Sequence, residues 1–248
     1  MNTIYILWLR QLKRYFRSKA RMIGSLGQPL LFLVALGFGF GPIYQKAGGG
    51  NYLEFLAPGV IAMSILFTAM FSGIEVIWDR RFGFLKETLV APVSRLSIML
   101  GRTLGGASVA MMQGVIITLI SFAIGFRAHS LWMIPLALLF MFLVAVMFTA
   151  LGTSIASRLE DMQAFPLIMN LLIMPLFFLS GSLFPLSGLP KALDLVTRFN
   201  PLSYGVDGLR GALTGTYHFG LGIDLLVLAG CAAVFCVIGA WMFSKIEL

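Results

Sequence analysis

Six stretches of this chain, 22–41, 55–78, 103–126, 131–157, 162–190 and 225–244, share a single charged residue, Glu75. Each is 20 residues or longer, and a helix of about 20 residues crosses the ~30 Å hydrocarbon core of a bilayer. A helix on a soluble protein would show a polar face at a 3.6-residue period, and these stretches do not. Charged residues make up 11% of the 248 positions, against about 25% in a soluble domain, too few to cover a water-facing surface. The pattern predicts an all-α membrane protein, a single domain over 1–248 with six transmembrane helices. The fifth stretch contains Pro166, Pro175, Pro185 and Pro190, which predicts a helix followed by a broken or re-entrant piece.

Six crossings leave both termini on one side. With that side as the cytoplasm, the inner segments 1–21, 79–102, 158–161 and 245–248 hold thirteen Lys and Arg, and the outer segments 42–54, 127–130 and 191–224 hold five. Positive residues collect in cytoplasmic loops, so the net charge of +8 reads as a topology signal for a multi-pass protein of a prokaryotic inner (plasma) membrane. Because the basic residues border membrane spans, they do not argue for a nucleic-acid partner. The long basic lead and the lack of an Ala-x-Ala pattern argue against a cleaved signal peptide. Cys231 and Cys236 lie five apart on different faces of the sixth stretch, so a disulfide between them is not expected.

Segment 1–21 is amphipathic. Arg10, Lys13, Arg14, Arg17 and Arg21 share one face, while Ile4, Tyr5, Trp8, Leu12, Tyr15 and Phe16 share the other. This predicts an interfacial helix with its basic face towards anionic headgroups or a partner. Segment 79–102 interrupts the apolar pattern. Its "GFLKETLVAP" is made of good helix formers and stopped by Pro92, which predicts a short helix carrying Arg80, Arg81, Lys86 and Glu87. On charge alone this is an ordinary positive-inside loop.

The motif "RFGFLKETLVAPVS", with Arg81, Gly83, Glu87, Leu89, Pro92, Val93 and Ser94, is followed by Leu179, Ser180, Gly181, Phe184 and Pro185, then by Leu189 and Pro190, and finally by Asn200, Pro201, Leu202, Tyr204 and Arg210. In this order the chain resembles the membrane subunit of ABC-2-type ABC exporters over nearly its whole length. The resemblance implies a type V exporter fold in which 79–102 carries a coupling helix seated in a separate ATPase. Arg80, Arg81, Phe82, Phe84, Lys86 and Glu87 are the candidate contacts, and the loop 157–161 is a secondary one. It further implies two ATPase subunits holding ATP and Mg, and a second copy of this chain or a related permease. Short re-entrant helices in 191–224 would close the outer exit through Asn200, Pro201, Tyr204, Asp207 and Arg210. Asp207 and Arg210 stand three apart and are expected to pair.

No G-x-x-x-x-G-K-S/T phosphate loop occurs, so this chain is not expected to bind ATP by that route. No H-E-x-x-H or G-x-S-x-G occurs either. His129 and His218 have no further ligand at metal spacing, and Glu160 and Asp161 read as solvated charges. No catalytic, metal or cofactor site is therefore expected in this chain. Polar residues at membrane depth turn inward, and the resemblance places the first, second and fifth crossings around a cavity at a dimer centre. Gln28, Phe32, Thr68, Phe71, Ser72, Asn170, Phe177 and Ser180 are the pathway candidates. Glu75, near a span end, is expected to snorkel to the interface. The spacings Gly37–Gly41 and Gly101–Gly105 suit close helix approach. Three functions stay open: a permease for drug-like amphipathic molecules, the same machine moving a lipid-linked polysaccharide or glycolipid, and a motor-free secondary transporter or membrane scaffold. The absence of ionisable residues at mid-membrane speaks against the last.

Overall fold

The structure, a computed structural model, describes residues 3–46, 50–90, 92–159, 161–186, 188 and 190–245, without the side chains of Lys86, Leu89 and Ser244. Among the described residues the chain is helical, with no strand. Thr3–Arg17 (α1) meets Lys19–Lys46 (α2) at Ser18. Tyr52–Phe71 (α3) and Ile74–Arg81 (α4) form one broken rod, and Phe84–Val90 (α5) follows as a separate short helix. Arg95–Ile124 (α6), Ile134–Arg158 (α7) and Ala164–Phe178 (α8) come next. Lys191–Phe199 (α9) and Pro201–Thr214 (α10) precede the last helix, Leu221–Ser244 (α11).

Among the described residues, five rods are long and apolar enough to cross a membrane: α2, the α3–α4 pair, α6, α7 preceded by a single 3₁₀ turn, and α11. The chain is therefore a multi-pass membrane protein. The expected span 162–190 is a helix followed by an irregular piece, as its prolines predict. Its regular part, α8, has 15 residues, about 22 Å at 1.5 Å per residue, and from Leu179 the backbone runs in turns up to Pro190. The cause is local, since Gly181 and Gly188 both take positive φ and prolines close the segment.

The rod α3 is the centre. Three quarters of its residues are buried, between Tyr52 and Met70, and it packs against α2, α6, α7, α8 and α10. Its start meets the 181–183 segment and α10, and its far end meets α7. The chain thus has two ends, one holding α9, α10 and the turns after α8, the other holding α1, α4 and α5.

Small residues set how closely the rods approach. At the α3–α4 break, a side chain on Gly73 would collide with the Gly152 carbonyl, and one on Gly152 with the Met70 carbonyl, so the two backbones are in direct contact. Gly101 and Gly105 seat α1 on α6: a Cβ on Gly105 would lie 2.6 Å from Gln11 Cγ, and one on Gly101 2.9 Å from Leu7 Cβ. The Gly37–Gly41 pair does not act as a unit. Gly37 faces Leu53 at 3.1 Å, but Gly41 meets nothing within 4 Å.

Replacing Gly105 by Leu should push α1 off α6 and destabilise the chain by about 1–3 kcal/mol. Gly41→Ala, in open space inside α2, should not destabilise and should gain up to about 1 kcal/mol of helix propensity. Thermal unfolding of both variants in detergent, with Trp8 fluorescence as the local reporter, checks the contrast.

Candidate functional site

At the α1 end, α4 contributes two acids one turn apart, Glu75 and Asp79, which are 5% and 3% exposed. A buried carboxylate is tolerated when donors surround it, and four arginines supply them. Asp79 accepts from Arg10 at 2.7 and 3.1 Å, from Arg14 at 3.3 Å and from Arg102 at 2.6 Å. Glu75 accepts from Arg14 at 3.2 Å and from Arg21 at 2.9 Å. These arginines come from α1, α2 and α6, so one pair of acids fastens four elements. Glu75 does not snorkel outward as expected, because two guanidinium groups hold it inside. Nor does the whole basic face of α1 point at headgroups. Arg10 and Arg14 turn to the acids, as does Arg21 at the start of α2, leaving Lys13 and Arg17 exposed.

A second polar chain runs beside it. The buried Tyr15 hydroxyl donates to Gln113 Oε1 at 2.6 Å, and Gln113 Nε2 donates to Ser25 Oγ at 2.7 Å. Burial pushes the Tyr15 phenol up, which keeps it a neutral donor. Trp8 donates to Ser108 Oγ at 2.9 Å. The helix that reads as a surface anchor is thus built into the transmembrane bundle.

The loop helix α5 is tied to this cluster at its root. The Arg10 guanidinium, already on Asp79, also lies over the Phe84 ring at 3.7 Å from its centre. Arg80 donates to the Ser157 carbonyl at 2.9 Å, joining α4 to the end of α7. Arg80 and Phe84 are therefore engaged within the chain. Arg81, Phe82 and Glu87 are exposed, Phe82 by 80%. Glu160, Leu189 and the Lys86 side chain lie outside the described residues.

A cavity of about 370 Å³ opens beside the cluster, between α1, α2, α3, α4 and α6. Four of the eight pathway candidates line it: Gln28, Thr68, Phe71 and Ser72. The other four lie elsewhere. Phe32 meets Phe177 edge-on at 6.1 Å, Asn170 is exposed, and Ser180 is buried with its hydroxyl on the Phe177 carbonyl at 2.6 Å. The cavity is bordered by the first, second and third crossings and by α1. Residues sequence reasoning left out of the pathway, Tyr15, Arg21 and Trp78, also line it. Their only signal in the sequence was an apolar or basic face of α1 and an aromatic at a span end.

At the opposite end, Asn200 caps α10. Its Oδ1 accepts from the Leu202 N–H at 3.0 Å and its Nδ2 donates to the Leu176 carbonyl at 2.7 Å, while Pro201 occupies the first turn. Tyr204 donates to the Arg198 carbonyl at 2.9 Å and stacks on Phe219 at 4.8 Å. Asp207 and Arg210 do not pair with each other. Asp207 accepts the backbone N–H groups of His218 at 2.8 Å and Phe219 at 2.7 Å. Arg210 donates to the carbonyls of Gly181 at 2.8 Å and Phe55 at 3.3 Å, with the Phe55 ring 4.1 Å from its Cζ. Each side chain satisfies irregular backbone, a stronger demand in a buried site than a helix-surface ion pair. Burial lowers the Arg210 guanidinium to about 10.

The family profile described as ABC-2 type transporter matches residues 2–214. This chain belongs to the ABC-2 type transporter family. Among its relatives, Nodulation protein J of Rhizobium leguminosarum bv. trifolii is 31% identical, with 85% of this chain and 78% of the relative covered. The putative transport permease ycf38 of Pyropia yezoensis is 33% identical over 85% of this chain and 73% of its own. The ycf38 permease of Cyanophora paradoxa is 26% identical over 99% of this chain and 89% of its own. An ABC-2 transport permease is thus the frame in which the acidic pair, the exposed loop tip and the cavity are to be understood.

Removing the carboxylate with Asp79→Asn should cost about 3–5 kcal/mol, because Arg102 is left buried without its counter-charge. Adding Arg102→Met to that variant should recover part of the loss. Thermal unfolding of the two single variants and the double variant gives the coupling energy.

Proposed function

We propose that this chain is the transmembrane permease subunit of an ATP-driven exporter that moves drug-like or other amphipathic molecules out of the cytoplasm or inner leaflet. Hydrolysis is supplied by a separate nucleotide-binding subunit, which holds ATP and Mg. The assembly contains two such subunits and two membrane chains, the second a copy of this one or a related permease. The membrane is the prokaryotic plasma membrane, with both termini in the cytoplasm, as the thirteen-to-five distribution of Lys and Arg supports.

One observation carries most weight. The loop between the second and third crossings has a fixed root and an exposed tip, where Arg81 reaches Met162 Sδ at 3.3 Å. Phe84 and Arg80 are held by the chain itself, while Phe82 stands 80% exposed beside the exposed Arg81 and Glu87. An aromatic ringed by charges is the form of an interface anchor. A push on the tip reaches Asp79 through α5 and Arg10, and from Asp79 it reaches α1 and α6. A second reading keeps the machine and changes the cargo to a lipid-linked polysaccharide or glycolipid, for which the amide and hydroxyl groups of Gln28 and Thr68 in the cavity would suit sugar hydroxyls.

The test pairs the permease in nanodiscs with the nucleotide-binding subunit that co-purifies with it. Phe82→Ala should weaken association about tenfold, ~1.4 kcal/mol. Reversing charge with Arg81→Glu and Lys86→Glu should abolish ATPase stimulation and transport while insertion stays intact. Unchanged stimulation and unchanged transport in the double variant would remove the coupling role.

A further inference from the structure

The cavity described above has a wall chemistry that selects for charge. Its charged lining residues are Arg21 and Glu75, and they neutralise one another at 2.9 Å, with the second oxygen of Glu75 taken by Arg14. No unpaired charge among the described residues faces the space. A cation or an anion entering it would give up water without gaining a counter-ion. Uncharged hydrogen-bonding groups are present and unused. The side chains of Gln28 and Thr68 line the cavity and make no hydrogen bond among the described residues. Trp78 lines it too, and its indole N–H is buried with no acceptor. The remaining wall is largely apolar, with Phe67 and Phe71 stacked at 6.5 Å.

We infer that this cavity, lying within one chain and roofed by α1, is a binding site for an uncharged amphiphile taken from the bilayer. The hydrogen-bonding head, bearing carbonyl or hydroxyl oxygens, is received by Gln28 and Thr68, and the apolar body rests on Phe67, Phe71 and the Trp78 ring. The inference deepens the permease reading, on which it rests for its meaning in transport. It differs from the expectation of a cavity at a dimer centre, because α1, α2, α3, α4 and α6 of one chain supply its walls, with the exposed Gly24 and Gln28 at its open side.

Gly24 supplies the test. It lines the cavity, and a Cβ placed there meets nothing within 4 Å, so Gly24→Leu adds bulk at the cavity without forcing its Cβ against backbone and also favours the helix. A variant keeping Trp78 as its sole tryptophan (Trp8→Phe, Trp132→Phe, Trp241→Phe) is placed in nanodiscs and titrated with a dibrominated monoacylglycerol, whose bromines quench at short range. Quenching should saturate, and Gly24→Leu should shift it at least tenfold to higher concentration. A linear rise identical in the two proteins, or tighter saturation by a brominated fatty amine or fatty acid, would overturn the inference. Should the triple variant not fold, a diazirine-bearing monoacylglycerol is photolysed with the otherwise unaltered chain. Adducts within 63–78 that vanish in Gly24→Leu support the site, and adducts confined to the lipid-facing surface refute it. No ATPase is present in these assays. Their failure therefore leaves the permease assignment intact, and that assignment is judged separately by ATP-driven transport.

Discussion

Asp79 has to be surrounded. A carboxylate that is 3% exposed at the foot of an apolar rod is stable only where cations meet it, and the cations cannot come from its own helix face. They come from Arg10 on α1 and Arg102 on α6, with Arg14 shared between Asp79 and Glu75. The need to neutralise this one group therefore decides where the N-terminal helix lies, how the loop helix is rooted and how the second crossing meets the third. Arg102 itself is left with Nε and one Nη buried and unpaired, so the cluster is held at some cost. It is suited to elements that must move together rather than to maximal stability.

The other end of the molecule answers a different demand with the same logic. After α8 the backbone leaves helical geometry, and its carbonyls need donors where water is scarce. Arg210 reaches the Gly181 carbonyl and the start of α3, Asn200 reaches the Leu176 carbonyl, and Asp207 gathers the N–H groups of the turn at 218–219. The Asn-Pro-Leu-x-Tyr run and the later Arg thus have a structural use that requires no substrate. Between the two ends, the cavity lies against the acidic cluster, and Arg21 and Glu75 belong to both. A movement of α1 would change the cavity and the loop root together.

Much of the fold could be read from the residues, because burial in lipid leaves a coarse and redundant signal: long uncharged runs, basic borders and prolines where regularity ends. Gln28, Thr68, Phe71 and Ser72 were legible as pathway candidates by polarity or size at membrane depth, and they share one cavity. Asn170 and Ser180 have the same character and lie elsewhere, since polarity tells that a group seeks a partner and not which one. Trp78 and Tyr15 were legible only as an aromatic at a span end and as part of the apolar face of α1. Their roles depend on α1 folding back onto the third crossing, a contact between positions about a hundred residues apart for Tyr15 and Gln113 and one that no local period announces.

What the sequence by itself determined is the solvent and the elements: a chain with 11% charge must place its apolar runs in a bilayer as helices, with a charged interruption where two of them join. What only the tertiary structure decided is which charge meets which. Asp207 and Arg210 are helix neighbours and yet serve separate stretches of backbone, while Arg10 and Asp79, 69 positions apart, share a bond. Pairing is set by the requirement that every buried polar group find a partner in three dimensions, and spacing along a helix is only one of the ways to meet it.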